Sequence, residues 1–120
     1  MDVKAALNGN VTIYPQTRKL IPTGLHVAIP AGHYIQVVPR SGLALKHGIA
    51  VLNSPGVIDE GFRGEIGVIL INHGDQPFVI EPGDRIAQLV LSKFETIEWQ
   101  VVEELPESER GQKGFGSSGK

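Results

Sequence analysis

The 120-residue chain contains no cysteine. Disulfides and thiolate-bound metal centres are therefore excluded. It has no surplus of positive charge either. Its 11 lysines and arginines stand against 13 aspartates and glutamates, a net charge of −2, so bulk electrostatics argue against non-specific nucleic-acid binding. No apolar run approaches the ~20 residues of a membrane span, and no signal peptide opens the chain. The expectation is a soluble, cytoplasmic or otherwise intracellular protein with neither nucleic acid nor membrane as partner. The four histidines, His26, His33, His47 and His73, lack metal-ligand spacing to one another or to an acid. No Ser-His-Asp arrangement can be argued from residue order alone. The glycine-rich end, GQKGFGSSGK, lacks the Gly-Lys-Ser/Thr close of a Walker loop, and no internal repeat is visible.

What the chain does have is turn residues: 15 glycines and 8 prolines. They cut it into short apolar stretches. VTIY (11–14) stops at Pro15, LHVAI (25–29) alternates and ends at PAG, and YIQVV (34–38) stops at Pro39. EIGVILIN (65–72) stops at HGD, FVI (78–80) runs into EPGD, and RIAQLVL carries its apolar part over 86–91. Turns every 8–12 residues between β-branched runs predict an all-β sandwich, barrel or jelly roll. One domain fits the length. The single short helix is expected at SGLALKHG (41–48), with Ser41 as N-cap and Gly48 as stop. FETIEWQVVEEL (94–105) fits a helical face through Phe94, Ile97, Val101 and Leu105 and a strand face through Ile97, Trp99 and Val101; its Thr, Ile, Trp and Val content favours the strand. ELPESER (104–110) is polar and reads as a hinge, so a core over 1–105 and a flexible glycine-rich tail over 106–120 are expected.

Three stretches could carry chemistry. PRSGLALKHG puts Arg40 and Ser41 at a helix entrance, where free N–H groups and a bidentate guanidinium suit an anion; the same pattern describes a capped surface helix with a solvated arginine. NSPGVIDEGFRGE (53–65) reads as a tight β-hairpin. Its backbone could pair with the edge of a flat polar ring, and its Asp59 could act as a general base on water; an ordinary acidic turn residue is the alternative. In EPGDRIAQLVL (81–91), Gln88 interrupts an apolar strand and must find a partner or face water, and Arg85 could be a structural ion pair.

Taken together and in order, PRSGLALKHG, NSPGVIDEGFRGEIGVILIN, PGDRIAQLVL and RGQKGFGSSGK resemble the trimeric dUTPase family over nearly the whole chain. The resemblance implies a jelly-roll-like β-barrel subunit, a homotrimer with active sites shared between subunits, and Mg²⁺-dependent conversion of dUTP and water to dUMP and pyrophosphate. That reaction lowers dUTP and supplies dUMP for thymidylate synthesis. It further implies that Arg40, Ser41 and Gly42 hold phosphates, and that Asn53, the backbone at Gly56, Val57 and Ile58, and Gly67 read uracil. Asp59 would contact the sugar 3′-OH and orient the attacking water, Phe62 would lie under the deoxyribose, and Gln88 would contact the phosphate chain and metal-bound water. In the tail, Arg110 would clamp the γ-phosphate, Phe115 would cover uracil, and Gly116, Ser117 and Ser118 would wrap the phosphates. Mg²⁺ would be held mainly through substrate phosphates and water, with Asp2 and Gln88 in its outer shell.

The chain departs from the family pattern in two places. Position 62 is phenylalanine where the family commonly has tyrosine. At the front, Asp2 and Val3 match the end of the family's Ala-Gly-x-Asp-Leu motif, while the Ala-Gly and the strand that usually precedes it are missing from this sequence. Two other readings share the fold: a dCTP-deaminase-like enzyme, which would have a glutamate-centred site, and a nucleotide-binding regulatory trimer.

Overall fold

A computed structural model describes residues 1–119. Nine strands and one helix follow the turn punctuation: β1 Asp2–Lys4, β2 Val11–Ile13, β3 Arg18–Pro22, β4 His33–Val38, α1 Ser41–His47, β5 Ile49–Val51, β6 Gly56–Ile58, β7 Gly67–Asn72, β8 Phe78–Ile80 and β9 Arg85–Lys93. They form three antiparallel sheets, ordered β1-β9-β4-β6, β3-β7-β5 and β2-β8. This is the all-β, jelly-roll-like barrel that the turn-dense sequence predicts. No helix among the described residues is long and apolar enough to cross a membrane.

Alternation along the strands decides what is inside. In β7, Val68, Leu70 and Asn72 are buried while Gly67 faces out, as a period of two requires. Val68 and Leu70 meet Ile13, Ile21, Ile49, Ile66, Ile80 and Ile86 in one apolar core. Asn72 is the polar exception, fully buried. Its Nδ2 donates to the carbonyls of Ile13 (2.9 Å) and Gln76 (2.8 Å), and its Oδ1 accepts the Gly74 N–H (2.8 Å). One amide thus bonds three backbone groups, which is how a buried polar residue avoids its desolvation cost.

Four expectations need correction. LHVAI (25–29) forms no strand, although Val27 and Ile29 do turn inward; its backbone is held singly, as where Leu25 C=O accepts the Ile66 N–H at 2.8 Å. FETIEWQVVEEL (94–105) is neither strand nor helix: it leaves the sheet after β9 with every residue exposed, and no ladder pairs it with another strand among the described residues. Ser41 is the first helical residue rather than the N-cap, which is Arg40 in extended conformation without a side-chain cap; Gly48 does stop the helix, in the left-handed region at φ 68°. Residues 53–65 are not a hairpin either. β6 pairs with β4 and β7 with β3 and β5, so the 59–66 loop crosses from one sheet to another. β1, β3 and β5 lie outside the apolar stretches named from the sequence: β3 is mostly exposed, and β1 and β5 are short strands fixed by their partners β9 and β7.

The radius of gyration is 19.0 Å, against about 14 Å for a compact chain of this length. The excess comes from residues beyond β9. They carry exposed Trp99 and Val101, at 84% and 97% accessibility.

Candidate active site

The cleft of interest opens between the two larger sheets and has a volume of about 190 Å³. β6 forms one wall. It is an edge strand, hydrogen-bonded to β4 on one side only, so the backbone polar groups of its free edge lack a strand partner. Gly56 at its start is buried, and a Cβ there would sit 3.2 Å from Asn53 Nδ2 and 3.3 Å from Val37 Cβ. A side chain at 56 would crowd Asn53 and Val37, so glycine lets both lie close to the strand without adjustment. Asn53, Gly56, Val57, Ile58, Asp59, Phe62 and Gly67, proposed from the sequence as one constellation, all line this cleft.

The 59–65 loop contributes an acid and an aromatic ring to this cleft. Asp59 is exposed, and its Oδ1 accepts the Gly61 N–H at 3.2 Å, so the carboxylate shapes its own turn. The Phe62 ring is 40% exposed and leans back on Gly64, where a Cβ would lie only 2.7 Å from Cζ. Arg63 folds over the loop, its Nη1 donating to the carbonyls of Glu60 (2.8 Å) and Phe62 (3.1 Å).

A second cluster forms where β1 pairs with β9 and places Asp2 opposite Gln88. Asp2 Oδ1 accepts from Gln88 Nε2 at 3.3 Å and lies 3.9 Å from Arg40 Nε, while its Oδ2 lies 3.7 Å from Arg85 Nη1. Arg40 Nη1 donates to the Arg85 carbonyl at 2.9 Å. Both arginines border a groove of about 400 Å³ along α1 and β8. A carboxylate between two guanidiniums keeps them gathered at one place, ready for a more highly charged anion. Ser41 and Gly42 open α1 beside Arg40, both exposed. None of these residues lines the cleft beside β6.

The tail forms its own hollow, lined by Arg110, Lys113, Gly116, Ser117 and Ser118 among others. Arg110 Nε donates to the Lys113 carbonyl at 2.6 Å, and the Phe115 ring is fully exposed. Within one chain, then, the sequence-proposed residues fall into three groups: the cleft, the arginine cluster and the tail.

A family model described as dUTPase matches residues 2–119. The chain belongs to the dUTPase family. It is 53% identical over 120 residues to the deoxyuridine 5′-triphosphate nucleotidohydrolase of Fusobacterium nucleatum, a match covering 100% of this chain and 82% of that relative. Among solved structures, it resembles the dUTPase of Staphylococcus bacteriophage 80alpha with dUPNHPP, at a TM-score of 0.88 and 33% identity over 99% of this chain and 85% of that one. A mutant dUTPase of phage phi11 of S. aureus, described with a structural Mg(II) ion, matches at a TM-score of 0.76 and 26% identity over 86% of this chain and 82% of that one.

For a dUTPase-family chain, the cleft also contains residues that sequence reasoning did not single out. Val37, Ile66 and Ile69 supply apolar lining and Glu65 a second carboxylate. Glu65 Oε1 accepts the Gly24 N–H at 2.8 Å, so it serves as a brace for the loop. The only sequence signal for it is its place in the stretch that ends NSPGVIDEGFRGE. Arg85 was legible as an ion-pair residue, and it is one.

Proposed function

We propose that this chain is a dUTP diphosphatase that works as a homotrimer, with Asp59 as the base that activates water. The observation that carries the proposal is the cleft itself. A free strand edge, an aromatic ring and an acid stand around one volume sized for a nucleoside rather than for a whole triphosphate. The free edge of β6 offers N–H and C=O groups in fixed alternation. Uracil matches such a template, whereas cytosine would place an amino group where a donor already points. Phe62 beneath the sugar leaves no room for a 2′-hydroxyl, which refuses UTP. With no ring hydroxyl, Phe62 acts by shape alone.

In this reading Asp59 accepts a proton from a water that attacks the α-phosphorus. A new P–O bond forms, the bond to the α–β bridging oxygen breaks, and pyrophosphate departs with that oxygen. Arg40, the N–H groups at Ser41 and Gly42, and Gln88 take the phosphates of a substrate seated against a neighbouring subunit's cleft. Arg110 takes the γ-phosphate, Phe115 covers the base, and Gly116, Ser117 and Ser118 wrap the phosphates, so that residues 106–120 act as a lid over a core of residues 1–105. The separation of the three groups within one chain supports shared sites, as do the exposed Trp99, Val101 and Leu105, since large apolar side chains left in solvent along one segment favour an interaction surface.

The residues present fit Mg²⁺ in an outer-shell role. Asp2 and Gln88 offer one carboxylate and one amide side by side, while no group of three or more acids or histidines able to cage a metal occurs among the described residues. Mg²⁺ keeps its waters reluctantly shed and binds mainly through substrate phosphates; it would neutralise charge on the triphosphate, and Asp2 and Gln88 would hold its waters.

The test is pyrophosphate release with Mg²⁺ from dUTP, UTP and dCTP, using the parent chain and Asp59→Asn. Turnover of dUTP alone, lost in Asp59→Asn with nucleotide binding retained, is expected. Equal rates on UTP, ammonia release from dCTP, or full activity in Asp59→Asn would reject the assignment.

A further inference from the structure

The 59–65 loop carries the proposed base and sugar platform, yet it belongs to no sheet. A loop of this kind must be held within about 0.5 Å of its working geometry to be useful. Its own turn is weak: the one backbone bond inside it, Phe62 N–H to Asp59 C=O, is 3.3 Å long. The stiffness comes from across the molecule. Residues 24–32, which include the alternating LHVAI stretch that forms no strand, grip the loop at three separate points. Gly24 N–H donates to Glu65 Oε1 (2.8 Å), the His26 ring Nδ1 meets the Arg63 carbonyl (2.9 Å), and Gly32 N–H donates to Glu60 Oε2 (2.8 Å). Because a carbonyl can only accept, His26 Nδ1 carries the proton.

We infer that Glu60 is a positioning residue for the reaction, tying the Asp59 turn to the 30–33 turn. Glu60 is the immediate neighbour of Asp59, so its anchor sets the direction of the peptide from which the base projects. The anchor itself is rigid. Gly32 sits at φ 77°, a left-handed position natural to glycine. His33 N–H closes the turn on Pro30 C=O at 3.2 Å, and the Gly32 carbonyl accepts the Phe94 N–H at 3.1 Å. One residue, Gly32, therefore fixes Glu60 through its N–H and the root of the 94–105 stretch through its carbonyl. At the loop's far end Arg63 continues the restraint, since its guanidinium holds the Glu60 and Phe62 carbonyls while His26 holds its own carbonyl. Sequence gives no hint of this. Glu60 reads as one more exposed acid, and its partner lies 28 residues away.

The inference rests on Asp59 being the base, so its test has an arm that does not depend on activity. Parent, Glu60→Gln and Glu60→Ala are compared by amide exchange at Gly32 and through 59–65, and by kcat and KM for dUTP. Glutamine keeps an acceptor oxygen at the same reach; alanine removes it. Glu60 is exposed, so both variants should melt close to the parent. In Glu60→Ala we expect exchange at Gly32 about tenfold faster, kcat lower by about tenfold and KM within about twofold, because sub-ångström misplacement costs rate before it costs binding. Glu60→Gln should restore both readouts. His26→Ala, which releases the Arg63 carbonyl, should shift them in the same direction as Glu60→Ala. Unchanged exchange in Glu60→Ala would refute the tie. Faster exchange with unchanged kcat would refute its role in positioning, as would a Glu60→Gln variant as slow as Glu60→Ala. A parent chain that releases no pyrophosphate would instead reject the proposed function, leaving the exchange comparison to decide the tie.

Discussion

Gly64→Ala is the most discriminating single change beside the cleft, because Gly64 lies against the Phe62 ring. Gly64 is exposed and is not among the residues with positive φ, so alanine is compatible with its backbone. The difficulty lies in the side chain it would meet. A Cβ at 64 would stand 2.7 Å from Phe62 Cζ and 2.9 Å from Cε1, where ordinary contact begins at 3.4 Å. The ring must retreat by about 0.7 Å or swing to another rotamer, because repulsion at those distances outweighs the ~0.1–0.2 kcal/mol of any one contact. Phe62 is partly exposed and free to move, so the fold should survive with little change in melting temperature. The sugar platform would not. Moving a substrate-positioning group by about 1 Å can cost up to 10²-fold, so kcat/KM for dUTP should fall by at least about tenfold, about 1.4 kcal/mol. The preference for dUTP over UTP should fall with it, because the ring no longer fills the space of a 2′-hydroxyl. Steady-state pyrophosphate release on both nucleotides measures this. Values for both within twofold of the parent would show that the ring position is irrelevant and that Phe62 does not police the sugar.

Asn72→Ala should destabilise the fold by about 2–5 kcal/mol in denaturant titration at fixed protein concentration, since it orphans the buried Ile13 carbonyl and two partly buried groups; a loss under 1 kcal/mol would show that water replaces the amide. Deleting residues 110–120 should reduce turnover at least about tenfold while leaving the sizing profile unchanged, because residues 110–119 are all exposed apart from half-buried Gly114. Unchanged turnover would make the tail dispensable.

Local chemistry made much of this protein legible. Pro39 and Gly48 bracket the helix region, and the alternation in GVILIN sends Val68 and Leu70 inward wherever the strand pairs. The dUTPase motifs carry Asn53, Gly56, Asp59, Phe62 and Gly67, and folding brings these into one cleft. Two of the misreadings share a cause. LHVAI and FETIEWQVVEEL both have strand composition, but a strand exists only where a partner offers its edge, and composition does not say whether one is near.

The sequence by itself determined the class of fold, the family and the residue types at the site, because turn propensity, hydrophobic period and motif order are local properties. Only the tertiary structure decided that β6 pairs with β4 instead of folding back on β7, which leaves its outer edge free to face a ligand. It also decided that Asp2 sits between Arg40 and Arg85 and that Glu60 is anchored on Gly32. Each of these joins residues tens of positions apart, and such contacts are fixed by the packing of sheets rather than by any residue's own preference.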